Sequence, residues 1–249
     1  MAVDGTIDAA RAAVDEERAC VRAERDAFAA FNRRVADLPT ASVSASPPAV
    51  PGFDRPDRTT DAVRTAYVET VMDVAHYGAE YGDTVPESLA VEFGDTLAAA
   101  IVSDAVLTPE IRGAVRSAAT AARDEREAFL DVLDHERSAL ARAADDIDDL
   151  CATLRSLDVD SHTRYGFDTL RDRWSTLDDL EARVADLGAR RQETIRGYRG
   201  DLPGVPTDLT EYLYADLSVS YPVLDAVGAL GTRIDTVRGR IERVLTATA

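Results

Sequence analysis

Lysine is missing altogether: the 28 basic residues are all arginine, set against 46 Asp and Glu for a formal net charge of -18. Amides are nearly gone too, with one Asn (Asn32) and one Gln (Gln192), and there are only two Met and two Cys. Each scarcity excludes something. Cys20 and Cys151 are far apart, with neither metal-ligand spacing nor a disulfide framework, and they read as small apolar residues inside helical patterns. Aromatics at 6% leave Ala, Leu and Val to build the core. The longest apolar run, Leu97 to Val102, is far short of the roughly 20 residues a membrane helix needs. The opening residues lack a charged leader followed by an apolar stretch, so a cytoplasmic protein is expected.

The acids comprise 31 Asp and 15 Glu. With lysine and amides depleted, this charge predicts a protein kept hydrated in a salt-rich cytosol rather than one seeking a cationic partner. At molar salt the Debye length is roughly 3 Å, which removes long-range steering. Hydrophobic content of 45% is ample for a folded core.

The apolar pattern is helical. Ile7, Val14, Val21, Phe28 and Val35 recur every seven residues, with partner positions Ala10, Glu17, Glu24, Phe31 and Leu38. This is a coiled-coil seam with two acidic interruptions, ended by Pro39. Residues 39–59, rich in proline, read as a linker. A helix is expected from about Thr60 to Tyr77. Thr84-Val85-Pro86-Glu87 is a capping box opening a short helix to Phe93, and Asp95 can cap another over Thr96 to Asp104.

Thr108-Pro109 opens the longest element. Its seam includes Val115, Ala122, Arg126, Phe129, Leu133, Glu136, Leu140 and Ile147, and it extends to Leu157, about 70 Å at 1.5 Å per residue. A second long helix, 167–199, follows a short connection, making a helical hairpin. After the break Asp201 to Pro206 come a short helix with Tyr212 and Tyr214 and a last seam helix over 222–246.

The expected fold is all-α: an elongated coiled-coil-like helical bundle with a small inserted helical module. Its parts are an N-terminal seam helix (1–38), the linker (39–59), a small acidic arginine-free module (60–107), a long hairpin (108–200) and a C-terminal short helix plus seam helix (201–249).

Glu69, Asp73, His76 and Glu80 are spaced four, three and four, and Asp73 and His76 form an acid-x-x-His element of the kind used in di-iron bundles. On one continuous helix, at about 100° per residue from Tyr67, these four fall at about 180° to 240°. Val63, Val71 and Val74 fall within about 40° of zero. Ligands in a bundle must point inward, so the wheel predicts a solvated acidic strip, with Asp73, His76 and Glu80 as the residues to watch and no metal or other cofactor expected.

No Gly-x-Ser-x-Gly, Cys/His signature or phosphate-cradling glycine loop is present, so no catalytic residue is nominated. The helices around 86–125 have helix-turn-helix proportions, with Arg112, Arg116 and Arg123 on the last of them, and a DNA-binding regulator is the alternative reading; phosphate contact requires cations, and the two preceding helices have none. Arg190, Arg191, Arg196 and Arg199 beside Tyr198 are a second basic cluster. Tyr77, Tyr81 and Phe93, beside Glu80, sit in the segment between Arg64 and Arg112 that contains no basic residue, and they are the candidate recognition surface.

Ala66-Tyr67-Val68-Glu69-Thr70-Val71-Met72, His76-Tyr77, Glu80-Tyr81-Gly82, Glu92-Phe93-Gly94 and Leu107-Thr108-Pro109 resemble an uncharacterised family of helical cytoplasmic proteins from haloarchaea. The resemblance covers about the first 150 residues. It implies an all-helical fold at high salt and brings no activity, cofactor or catalytic residue. By elimination the expected function is a non-catalytic scaffold or interaction protein, binding a protein partner or itself through helix faces, with an enzyme third.

Overall fold

The computed structural model describes residues 3–41, 59–157, 165–198 and 208–248. Among them every element is a helix: α1 Val3–Asp37, α2 Thr60–Val68, α3 Tyr77–Glu80, α4 Val85–Phe93, α5 Asp95–Val102, α6 Pro109–Leu157, α7 Phe167–Gly197, α8 Leu209–Leu213 and α9 Pro222–Thr248. One isolated antiparallel bridge joins Thr59 to Val106. The all-α expectation holds, and the four long helices end within a few residues of where the periodicity places them. Most of the proline-rich linker, most of the connection before α7 and the break at Asp201 to Pro206 lie outside the described residues.

The heptad positions of α1 are core. Ile7, Val14, Val21, Phe28 and Val35 are each at most 4% exposed within the single chain.

The chain divides into two compact units, Met1–Glu17 with Val132–Ala249, and Arg18–Asp131. In the first, the leucines and isoleucines of α6, α7 and α9 bury their side chains; Leu133, Leu140, Leu177 and Ile241 are fully enclosed. Burying each such side chain contributes about 1.5–3 kcal/mol. Gly188 of α7 admits Val227 of α9: a Cβ at 188 would stand 3.4 Å from Val227 Cγ1. Arginines flank these contacts, with Arg183 on Asp149, Arg190 on Asp146, and Arg238 on Asp178 and Glu181. Exposed pairs of this kind contribute at most about 1 kcal/mol each.

The second unit has an aromatic centre. Phe31 stacks on Phe93 at 5.8 Å, and Tyr67 meets both edge-on at 5.4 and 5.6 Å. Leu89, Ile101, Leu107, Val115 and Ala119 close the core around them. Tyr67 is fully buried because its hydroxyl finds Ser88 Oγ at 2.8 Å. The α4–α5 junction turns on Gly94, whose φ of 79° and ψ of 154° are open essentially only to glycine. The capping box expected at Thr84 is formed: the Thr84 amide and hydroxyl both donate to the Glu87 carboxylate, at 2.9 and 2.5 Å.

One helix is shorter than its pattern. The expected helix from Thr60 to Tyr77 ends at Val68, and the chain runs through turns before α3. At the break the Thr70 hydroxyl donates to the Ala66 carbonyl at 2.6 Å, and the Thr70 amide goes to Tyr67 O. Tyr67 O then receives the amides of Val71 and Met72 as well. Everything after residue 69 is thereby re-aimed.

Candidate functional site

The break after α2 splits the outward-facing strip, leaving Glu69, Asp73 and Glu80 exposed and turning His76 inward. Glu69 pairs with Arg34 of α1 at 2.7 Å. His76 Nε2 lies 3.0 Å from Glu24 Oε1 on α1 and 3.9 Å from Glu80 Oε2. Four residues expected to share one face therefore diverge. Only His76 and Glu80 stay together, and they meet a carboxylate from another helix.

Glu24 is the acidic exception in the α1 seam, and its side chain is 11% exposed. Such a charge must be paired or hydrogen-bonded. Oε1 accepts from the Tyr81 hydroxyl at 2.8 Å and faces His76; Oε2 accepts from Arg126 Nε at 3.1 Å. Arg126 is the cationic exception in the α6 seam. Its two remaining nitrogens form a fork on Glu92 at 2.9 and 2.5 Å, and its plane lies 4.9 Å from the Phe28 ring. Cys20, one turn before Glu24 on α1, places Sγ 3.8 Å from Glu80 Oε1.

The electrostatics of this group are lopsided: Glu24 and Glu92 share the Arg126 guanidinium, and Glu80 adds a further carboxylate at His76. Burial raises the Glu92 pKa despite the opposing pull of Arg126, and burial followed by the Glu24 charge raises that of Tyr81. Burial works against Arg126, yet Glu92 and Glu24 hold its pKa above the ordinary arginine value.

A cleft of about 50 Å³, enough for a water or two, opens beside Glu24 between Tyr77, Tyr81, Val91 and Arg126. Tyr77 is 9% exposed and its hydroxyl is buried without a hydrogen-bond partner. Burial raises its pKa, with the Ser88 hydroxyl, engaged by Tyr67, pulling the other way. Of the candidate recognition residues, Tyr77 and Tyr81 line this cleft with their rings 5.4 Å apart, Glu80 stands beside them at His76, and Phe93 turns away into the aromatic core.

A second polar cluster lies in the other unit. Glu136 is fully enclosed, bound by the Arg191 fork at 2.7 and 2.7 Å and by the hydroxyls of Tyr198, at 2.7 Å, and Tyr214. Burial pushes the Glu136 pKa up, but Arg191, Tyr214 and Tyr198 outweigh it, leaving the group below the ordinary carboxylate value. With its acceptors filled by Arg191, Tyr198 and Tyr214, this cluster is a structural tie. It also removes Arg191 and Tyr198 from the basic cluster read in the sequence, while Arg190 is held by Asp146 and Asp186.

Sequence reasoning passed over Glu24 and Arg126 as site residues and read Arg191 only as part of a basic cluster. The signal for them was present: each is a charge in a slot where the seam demands an apolar side chain. Arg191 fills the gap between Leu187 and Ile195, and its partner Glu136 interrupts α6 in the same way. Arginines named for DNA contact are engaged internally: Arg112 donates to Leu38 O, Arg116 to Asn32, and Arg123 to Asp124.

These features define a class: an all-helical protein whose seam helices are interrupted by matched, interior polar groups. The chain belongs to the family described as Domain of unknown function (DUF7260), whose model matches residues 5–238. The match thus extends well beyond the first 150 residues that carry the resemblance in the sequence. No curated protein and no solved structure matches the chain.

Proposed function

We propose that the protein is a non-catalytic helical scaffold of a salt-rich, haloarchaeal-type cytoplasm, which holds a protein partner at the Tyr81–Val91 surface. One observation carries this reading. Val91 is 79% exposed and Tyr81 47% exposed, and both border the same cleft. Large apolar side chains bared side by side are a mark of recognition surfaces. Around them stand Glu24, Asp83 and Glu92, with Arg126 alongside, and Asp83 and Glu92 lie between Arg64 and Arg112, where there is no arginine or lysine. The partner chemistry that fits is an apolar side chain flanked by arginine.

Support also comes from what is used up elsewhere. The heptad face of α1 is buried in its own chain, which leaves it closed to a second copy. The interior carboxylates Glu24, Glu92 and Glu136 are each held by an arginine, as a scaffold requires.

The test is site-specific cross-linking from the cell of origin, at working salt, with a photoreactive phenylalanine placed at Val91 and, as control, at Val106, which is 52% exposed. A single cross-linked protein specific to position 91, lost in Tyr81→Ala, supports the reading. Cross-linking to a second copy of the chain would replace partner with self-association. Equal labelling from both positions, with a monomer in sedimentation, refutes it.

A further inference from the structure

We infer that Glu24, His76 and Glu80 form a site for one divalent first-row transition-metal ion, with the Cys20 thiol as a fourth ligand. This goes beyond the scaffold reading and does not depend on it.

Geometry is the first argument. One ligand atom from each of Glu24, His76 and Glu80 lies within 4.8 Å of the others. Metal bonds to imidazole nitrogen and carboxylate oxygen are about 2.1 Å, so two ligands on one ion stand roughly 3.0–4.2 Å apart. The Glu24–His76 separation of 3.0 Å and the His76–Glu80 separation of 3.9 Å already fall in that range. On a tetrahedral ion the donors stand roughly 3.4 Å apart, so a separation at the 4.8 Å limit must close by about 1.4 Å. Glu80 can do this, because its side chain is 45% exposed on the surface of α3.

Arrangement is the second. Cys20 and Glu24 are four residues apart on α1, and His76 and Glu80 are four apart across the start of α3, so each pair presents two donors from one helical face. Cys20 Sγ, 3.8 Å from Glu80 Oε1, borders the three-residue group from α1. Thiol, imidazole and two carboxylates suit zinc or cobalt; magnesium and calcium prefer oxygen alone.

Charge and hydrogen bonding are the third. Arg126 occupies Glu24 Oε2, which fixes the carboxylate and leaves Oε1 toward His76. Glu24 and Glu92 share that single guanidinium, and a dication would neutralise the charge that Glu80 adds beside Glu24. It would take the place of the hydrogen bond between Nε2 and Oε1, with the imidazole neutral and its proton on Nδ1. Independently, the orphaned Tyr77 hydroxyl lies in the cleft bounded by Glu24 and Tyr81, where a water held near the ion would give it a partner.

The experiment is a titration of the chelator-treated full chain with Co²⁺, and separately with Zn²⁺, in molar KCl containing excess Mg²⁺ to occupy surface carboxylates. One Co²⁺ per chain is expected, with visible d–d absorption, a near-ultraviolet thiolate-to-cobalt band, and displacement of both signals by Zn²⁺. His76→Ala and Glu80→Gln should each weaken binding at least tenfold while keeping the wild-type circular dichroism spectrum. Cys20→Ser should abolish only the thiolate band. Failure of the wild type to bind, or unchanged affinity in His76→Ala, overturns the site; a wild-type complex without the thiolate band overturns the part given to Cys20.

Discussion

Replacing Arg191 by methionine leaves the Glu136 carboxylate enclosed, with two tyrosine hydroxyls and no counter-charge. The guanidinium provides two hydrogen bonds of 2.7 Å, and the side-chain exposures of the pair are 3% and 0%. Breaking a buried pair from one side costs about 3–5 kcal/mol. Each tyrosine hydroxyl donating to the charged carboxylate contributes about 1.5–3 kcal/mol, so Tyr198→Phe and Tyr214→Phe should be milder than Arg191→Met. Replacing all four groups at once, as Glu136→Leu, Arg191→Met, Tyr198→Phe and Tyr214→Phe, should recover most of the loss, because apolar substitutes often match a buried pair.

Urea unfolding in molar KCl measures these differences. Trp174, the single tryptophan, lies on α7 and reports on the unit that holds the cluster. The folded pKa of Glu136 is depressed, so its contribution is fully present above the ordinary carboxylate value, roughly 4.3, and declines as pH falls through the lower folded pKa. Stability of Glu136→Gln should therefore fall less steeply with acid than that of the wild type. A loss under about 1 kcal/mol for Arg191→Met, or a Glu136–Arg191 coupling near zero in a double-mutant cycle, would refute the reasoning.

Gly94→Ala places a side chain at φ 79° and ψ 154° and should cost about 1–3 kcal/mol, read as a lower melting temperature with unchanged helicity. Arg126→Met strands Glu24 and Glu92 facing each other with side chains 11% and 16% exposed; a loss of about 2–4 kcal/mol is expected, and less than 1 would contradict the role given to the fork. Burial raises the pKa values of Tyr67, Tyr77, Tyr81, Tyr198 and Tyr214, so their stabilisation is intact below about pH 10 and lost as pH rises beyond it. A spectrophotometric titration should show these five ionising only as the chain unfolds; ionisation of all eight tyrosines with helicity retained would exclude this.

Periodicity made the long helices legible because a helix buried along one stripe repeats its apolar residues at a fixed step. Pro109 to Leu157 was read end to end for that reason. The region after Val68 was not, because a helical wheel assumes continuity and nothing in the apolar spacing marks the turns between Val68 and Tyr77. His76 accordingly faces Glu24 rather than solvent. The polar clusters were half visible: a charge in a seam slot is evident from spacing, but its partner on another helix depends on how the chain folds back. Glu24 with Arg126, 102 residues apart, and Glu136 with Arg191, 55 apart, are beyond any local pattern.

Ala- and Leu-rich helices that repeat every seven residues are nearly indifferent to sliding past one another by one repeat, since leucine meets leucine again at each stop. Glu136 ends that indifference between α6 and α7. A slide by one repeat would set its carboxylate among leucines and strand Arg191 in the same way, a penalty of several kcal/mol against the loss of a few apolar contacts. The enclosed charge thus works as an alignment mark, making a single pairing of two otherwise repetitive helices the only inexpensive one.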